Sequence, residues 1–341
     1  MKKVLIIAEA GVNHNGSIEL AKKLIKIASE AGADFIKFQS FKAKRLVSKG
    51  ALKAQYQINN LKNDSDSTQY SMLKNLELKD RDHIELINEC KRNGINFLST
   101  AFDVTGLDYL VSLGISVIKI PSGEITNYPY LKRVGELGLK TILSTGMANM
   151  HDIKLAVDVL TENGLKLEDL TILHCNTEYP TPMEDVNLQA MNTIKDNFGV
   201  EIGYSDHTLG IEVPIAAVAI GAKIIEKHFT LDRNLKGPDH AASLEPDELK
   251  SMVRAIRNVE LILSGSGIKE PSKSERKNIT IARKSIHLTK SLRKGHVLTN
   301  QDLIALRPGN GISPMNWNNV IGKRLIRDMG KGEKLSEKDF Q

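Results

Sequence analysis

Only two cysteines, Cys90 and Cys175, occur in 341 residues, and they lie far apart. No disulfide framework is implied, which suits a reducing compartment. Aromatic residues make up 5% of the chain, with a single tryptophan, Trp317. The net charge of +6 and isoelectric point near 9.0 come without a block of five or six basic residues. Basic residues with neither clustering nor interleaved aromatics argue against a nucleic-acid stripe and suit a basic pocket for acidic small molecules. No segment approaches the ~18 apolar residues of a membrane span. The apolar run at the start is shorter than the core of a signal peptide and is interrupted by Glu9. The sequence predicts a cytoplasmic protein with no membrane and no nucleic-acid partner.

What the chain does have is 41% hydrophobic residues arranged in short β-branched runs that alternate with amphipathic windows. Strands are predicted at 3–10, 34–40, 95–102, 116–122, 140–147, 170–176, 200–207 and 222–230. The helical windows between them run over 17–31, 80–93, 104–113, 130–137, 149–163, 187–198 and 211–220, and 247–263 follows the last strand. Near-continuous apolar strands joined by helices mean a parallel sheet covered on both faces. Nearly every strand ends in polar side chains: Glu9, Lys37 and Gln39, Ser99 and Thr100, Lys119 and Ser122, Ser144 and Thr145, Asn176, Ser205 and His207, Glu226 and His228. A doubly wound sheet needs such ends only at its switch point, whereas a (β/α)₈ TIM barrel brings all eight to one site. The expected fold is therefore a TIM barrel over 1–264. A Ser-Gly-Ser-Gly and charge-rich linker follows over 265–280, and a small β-rich domain over 281–341. The polar stretch from Phe41 to Lys79 reads as a functional loop, a lid over the site.

His207 and His228 end adjacent strands, and two neutral imidazoles leave positions open on a catalytic metal. Capping or buried hydrogen bonding is the competing reading. Lys37 and Lys119, ringed by Ser122, Ser144, Asn176 and Ser205, suit a ligand carrying phosphate and carboxylate; alternatively the lysines snorkel or pair with Glu9 and Glu226. A lysine in such a pocket also raises Schiff-base chemistry, which needs no metal. Ser285 and Trp317 read most simply as structural.

The segments Ile7-Ala-Glu-Ala-Gly-Val-Asn-His-Asn-Gly16, Lys37-Phe-Gln-Ser40, Lys119-Ile-Pro-Ser-Gly-Glu124, Ser144-Thr-Gly-Met147, Tyr179-Pro-Thr-Pro182, Tyr204-Ser-Asp-His-Thr208, Glu226-Lys-His-Phe-Thr230, Gly237-Pro-Asp239 and Arg307-Pro-Gly309 together resemble the sialic-acid (nonulosonate) synthase family. The resemblance runs over essentially the whole chain. It implies a barrel followed by an antifreeze-like (SAF) domain that swaps over the partner's barrel in a homodimer. It implies that His207 and His228 hold Mn²⁺ or Mg²⁺, and that Lys37, Thr100, Lys119, Ser122, Ser144, Asn176 and Ser205 hold phosphoenolpyruvate. Glu9, Glu124 and Asp239 would act in catalysis. Gln39, Tyr179 and, from the neighbouring subunit, Arg307 would contact an acetamido sugar. Where many members read Thr-Asn this chain reads Asn176-Thr177, and either residue is a candidate for the phosphate.

Within the family, Phe38 and Phe41, His174-Cys-Asn-Thr-Glu-Tyr179 and Gly309-Asn-Gly-Ile-Ser-Pro314 resemble the N,N′-diacetyllegionaminate branch. That branch implies condensation of phosphoenolpyruvate with 2,4-diacetamido-2,4,6-trideoxymannose; the alternative is an N-acetylneuraminate synthase using N-acetylmannosamine. Alternation along the second strand puts Lys37, Gln39 and Phe41 on one face. Phe41 is therefore expected either at the sugar's 6-deoxy carbon or packed under the long loop. A non-catalytic sugar-phosphate sensor and an ice-binding tail are the readings from other classes. Arg307, Lys323, Arg324 and Arg327 suit docking on an acidic-substrate site rather than ice.

Overall fold

The computed structural model describes residues 3–61 and 68–341. The chain divides into two compact units, Met1–Gly265 and Ser266–Gln341. In the first, β1 (Leu5–Gly11), β2 (Phe35–Ser40), β3 (Asn96–Ala101), β4 (Val117–Ile120), β5 (Lys140–Ser144), β6 (Leu170–Cys175), β7 (Glu201–Asp206) and β8 (Ile224–His228) form one sheet. Its order is β3-β2-β1-β8-β7-β6-β5-β4, parallel throughout. The outermost members of that order, β3 and β4, lie against each other. The sheet therefore closes, as the polar strand ends predict, and an open doubly wound sheet is ruled out.

The helices are α1 (Ile18–Ala31), α2 (Ala43–Leu46), α3 (Gln55–Asn60), α4 (Gln69–Leu76), α5 (Asp80–Asn93), α6 (Val104–Ser112), α7 (Tyr128–Leu137), α8 (Met150–Glu162), α9 (Ala190–Phe198), α10 (Glu212–Ala219) and α11 (Pro246–Ile262). Each barrel strand has one outer helix, and α2–α4 are inserted between β2 and its helix α5. Helix α1 shows how local chemistry sets these elements. The Ser17 hydroxyl accepts the Leu20 N–H at 3.3 Å, Ala21, Leu24, Ile25 and Ala28 recur on the buried face, and Gly32 ends the helix at φ 83°, a conformation that costs glycine little.

Inside the barrel the side chains are layered by the two-residue period of the strands. Ile7, Leu98, Ile142, Leu173 and Ile224, with Phe35 and Val117, form an apolar plug. Strand β7 contributes Gly203, where a Cβ would stand 2.3 Å from the Ile224 carbonyl oxygen and 2.5 Å from Leu173 Cδ2. Two residues further along come Glu9, Lys37, Thr100, Lys119, Ser144, Cys175, Ser205 and Glu226, all facing one cavity. A further step reaches Gln39, Phe102, Thr177, His207 and His228.

The stretch read as a lid contains α2, α3 and α4; residues 62–67 of it lie outside the described residues. Val12, Phe41, Ala43, Met72, Leu73 and Leu76 make a small core of their own there. Phe41 is buried in it, edge-on to Phe102 with ring centroids 6.0 Å apart. It does not line the cavity. Strand β2 ends at Ser40, so the alternation that would aim Phe41 at a sugar lapses one residue too early, and of the two expected positions it takes the one under the loop.

In the second unit, α12 (Lys273–Ala282) starts within the stretch read as linker, capped by the Ser272 hydroxyl on Glu275 N–H, and buries none of its residues. Strands β9 (Ser285–Leu288) and β10 (Leu303–Leu306) pair antiparallel, and α13 (Trp317–Val320) follows. Ile286, Leu288, Leu298, Leu303, Leu325 and Leu335 lie in the core of this unit, with Trp317 packed on it. The Ser285 hydroxyl donates to Pro308 O at 2.7 Å, and Trp317 Nε1–H donates to Asn300 Oδ1 at 2.8 Å, in keeping with structural roles.

Candidate active site

The strand ends open on a cavity of about 640 Å³. Its floor is a buried chain of alternating charge. Lys37 Nζ stands 2.9 Å from Glu9 Oε2 and 3.7 Å from Glu226 Oε2, and Lys119 Nζ is 3.0 Å from Glu226 Oε1. Lys37 also donates to Thr100 Oγ1 at 3.0 Å, and the Ser205 hydroxyl to Glu226 Oε1 at 3.0 Å. Buried charges persist only when paired in this way. Both sequence readings of the lysines thus meet in one place: they face the cavity, and they pair with Glu9 and Glu226. Burial alone would raise Glu226, but Lys119 and Lys37 outweigh it and hold its carboxyl near 2. Glu9 is pushed the other way, to about 7, by burial first and with the Glu226 charge adding to it. Burial lowers Lys119 below the usual lysine range.

His207 and His228 also face the cavity, with ring centroids 5.4 Å apart. His207 Nδ1 lies 2.5 Å from the Asn176 carbonyl oxygen. Donation of an Nδ1 proton there leaves Nε2 with a free lone pair, the tautomer a metal ligand needs. Burial holds His207 near 4 and, with the neighbouring His207 ring adding to it, His228 well below the usual imidazole value, so both rings are neutral at pH 7. His228 Nδ1 is buried without a hydrogen-bond partner among the described residues. Two neutral imidazoles this close fit one divalent ion. Among the described residues no group of three or more His, Cys, Asp or Glu side chains could hold one.

Tyr179 stacks on His207 with centroids 4.0 Å apart and meets His228 edge-on at 5.7 Å. Tyr56 of α3 stacks on its other face at 4.9 Å. Burial raises the Tyr179 phenol well above its ordinary value. Asp239, also on the cavity, is pushed by burial to about 7. Glu124 is raised by burial as well, although its Oε2 accepts from Asn127 Nδ2 at 2.5 Å.

Glu9, Lys37, Gln39, Thr100, Lys119, Ser122, Glu124, Ser144, Tyr179, Ser205, His207, His228 and Asp239 therefore share one cavity. Asn176 does not line it. Its side chain accepts from Glu178 N–H at 2.8 Å and its carbonyl oxygen holds His207, while the neighbouring Thr177 faces the cavity. The turn after β6 makes that choice, and residue types alone leave it open. Arg307 lies in the second unit, where its Nε–H donates to Ala282 O at 2.9 Å. Sequence reading did not single out Tyr56 or assign a site role to Glu226. The signal for Glu226 was present, two residues before His228 on the same inward face; Tyr56 sits in a polar loop with no period to betray it.

A closed parallel barrel with a blind charged floor, a histidine pair and hydroxyls at its mouth defines an enzyme-like anion site of the (β/α)₈ class. The NeuB family model matches residues 24–269 and the SAF domain model residues 283–341. The chain is 53% identical over 337 residues to the N,N′-diacetyllegionaminic acid synthase of Campylobacter jejuni, covering 99% of this chain and 100% of the relative. To the enzyme of the same name from Legionella pneumophila it is 50% identical, covering 97% and 92%. The solved structure of an N-acetylneuraminic acid (sialic acid) synthetase from Leptospira borgpetersenii superposes with a TM-score of 0.70 at 36% identity, over 82% of this chain and 90% of that one. The chain belongs to the sialic acid synthase (NeuB) family.

Proposed function

We propose that this chain condenses phosphoenolpyruvate with 2,4-diacetamido-2,4,6-trideoxymannose, giving N,N′-diacetyllegionaminate and phosphate. The observation that carries this reading is the single blind cavity in which Lys37 and Lys119 lie one strand step deeper than His207 and His228. Likeness to two relatives named for that product, at 50% identity and above over nearly their full length, supports the sugar.

In this reading Lys37 and Lys119 exchange part of their pairing with Glu226 for the phosphate and carboxylate of phosphoenolpyruvate, and Ser122, Ser144, Thr177 and Ser205 supply hydrogen bonds around it. His207 and His228 would hold Mn²⁺ or Mg²⁺, which when bound would supply Lewis acidity toward the sugar aldehyde. Tyr179 holds the sugar against the histidine pair. Asp239 carries a proton near neutrality and delivers it to the aldehyde oxygen as the methylene carbon of phosphoenolpyruvate attacks. Glu124 orients the water that adds at the resulting oxocarbenium-like carbon, and the lysines stabilise the phosphate as the C–O bond breaks. Arg307 reaches the sugar from a second copy of the chain, in a cytoplasmic homodimer whose C-terminal domain, 281–341, is swapped over the partner's barrel, 1–264.

A substrate panel tests the reading. Phosphate release should require phosphoenolpyruvate and be fastest with the 2,4-diacetamido sugar. EDTA should abolish it and Mn²⁺ restore it. Equal or better turnover of N-acetylmannosamine would return the enzyme to the N-acetylneuraminate branch, and no release with any sugar would leave a sensor.

A further inference from the structure

One part of the cavity wall is hydrocarbon. Strands β4–β7 present hydroxyls and charge: Lys119, Ser122, Ser144, Thr177 and Ser205. The other side, above β1–β3, carries Glu9, Lys37, Gln39 and Thr100 on its strands and, above them, a hydrocarbon patch: Leu46 from α2, Met72 and Leu73 from α4, and Phe102 just past β3, with Gln69 of α4 at its border. These are not stray apolar groups at a rim. Met72 and Leu73 belong to the small core under the loop, and Leu46 and Phe102 pack against it. Phe102 is braced edge-on by the buried Phe41. The wall is thus backed by packed side chains, and its aliphatic and phenyl groups can neither donate nor accept a hydrogen bond.

Its neighbours say which part of a ligand it meets. Gln39 rises from β2 one strand step above Lys37, between the charged floor and this wall, and Ser122, Ser144 and Ser205 stand on the other strands. The geometry points to this wall as the seat of the sugar's C6 methyl, and to Leu46, Met72, Leu73 and Phe102 as the residues that select a 6-deoxy over a 6-hydroxy acetamido sugar. The inference rests on the phosphoenolpyruvate-condensing reading above and adds to it the group on the sugar that is recognised. A methyl against this surface leaves water for hydrocarbon, whereas a hydroxyl there loses water partners and gains none from these four side chains. Because a hydrophobic pocket rejects an added hydroxyl only moderately, discrimination of about 10–200-fold is expected, not exclusion.

The test uses the full-length, Mn²⁺-loaded enzyme, saturating phosphoenolpyruvate, and two sugars that differ only at C6: 2,4-diacetamido-2,4,6-trideoxymannose and its 6-hydroxy counterpart. Wild-type kcat/KM should favour the 6-deoxy sugar by about 10–200-fold. Leu46→Asn and Met72→Gln should each shrink that ratio at least about tenfold through the KM for sugar, since each supplies the hydroxyl with a partner worth roughly that factor. Leu46 is only partly buried and keeps the test open if Met72→Gln does not fold, which circular dichroism reports. A ratio unchanged in a folded variant overturns the inference, as does a wild type indifferent to C6, while leaving the condensation reading intact. A wild type that releases phosphate with neither sugar defeats the condensation reading itself.

Discussion

Lys227 and Asp206 form a fully buried ion pair, Nζ to Oδ2 at 2.6 Å, on the side of the sheet facing away from the cavity. Each precedes a cavity histidine by one residue, so the strand period turns the pair outward as His207 and His228 turn inward. Lys227 also donates to Thr208 O at 2.5 Å, and the Thr208 N–H and hydroxyl donate to the Asp206 carboxylate. The pair ties the ends of β7 and β8 together behind the two imidazoles. Lys227→Met should leave an uncompensated buried carboxylate and cost about 3–5 kcal/mol of stability. In whatever fraction remains folded, Mn²⁺ affinity measured by titration calorimetry should fall at least about tenfold, the usual scale for losing a group that orients a ligand. Wild-type affinity in the folded variant would show that the pair holds only the fold.

The charged floor predicts a divided kinetic effect. Lys119→Ala should raise the KM for phosphoenolpyruvate by about 10–150-fold, the equivalent of a charge-assisted hydrogen bond of ~1.5–3 kcal/mol, and leave the KM for sugar nearly unchanged. Borohydride added during turnover should trap nothing on Lys37 or Lys119. A covalent adduct there would establish Schiff-base chemistry instead.

Asp239 makes stability depend on pH in a definite direction. Burial raises its carboxyl from 3.8 to about 7 in the folded chain, so the folded state holds this proton more tightly than the unfolded state does. Its contribution is fully present below about pH 4, declines as pH rises toward about 7, and then levels off; each tenfold difference in proton affinity between the two states is worth about 1.4 kcal/mol. Asp239→Asn removes that dependence. The Tm of the variant relative to wild type should therefore rise between pH 4 and 7, and a difference that stays constant across that range would contradict the assignment.

Arg307 is tested by mixing subunits. An Arg307→Ala chain combined with a His228→Ala chain should recover part of the activity that each lacks alone, because one composite site in the mixed dimer keeps both residues. Absence of recovery, with subunit exchange demonstrated by mass, would place the action of Arg307 within its own chain or exclude it.

The barrel was legible because buried parallel strands are short apolar runs with polar ends, and the two-residue period carries Glu9, Lys37, Lys119, Ser205 and Glu226 to one face without further information. The same period misled at Phe41, where it was extended one residue past the last strand hydrogen bonds. It was silent in the turn after β6, where backbone conformation rather than residue type turns Thr177 inward and gives the Asn176 carbonyl to His207. Helices α2 and α3 were illegible for a different reason. They are four and six residues long, neither has a side-chain hydrogen bond at its N-cap, and such short turns are stabilised by tertiary packing rather than by propensity.

The plug of Ile7, Leu98, Ile142, Leu173 and Ile224, drawn tight where Gly203 lets Leu173 and Ile224 close in, makes the barrel a dead end. Traffic through it must use a single doorway. Whatever rests on Lys37 and Lys119 lies beneath whatever rests against His207 and Tyr179, so depth alone imposes a queue. On the function proposed above, the anion would arrive first and the sugar follow, and neither the anion nor the phosphate split from it would depart until the molecule above had moved aside.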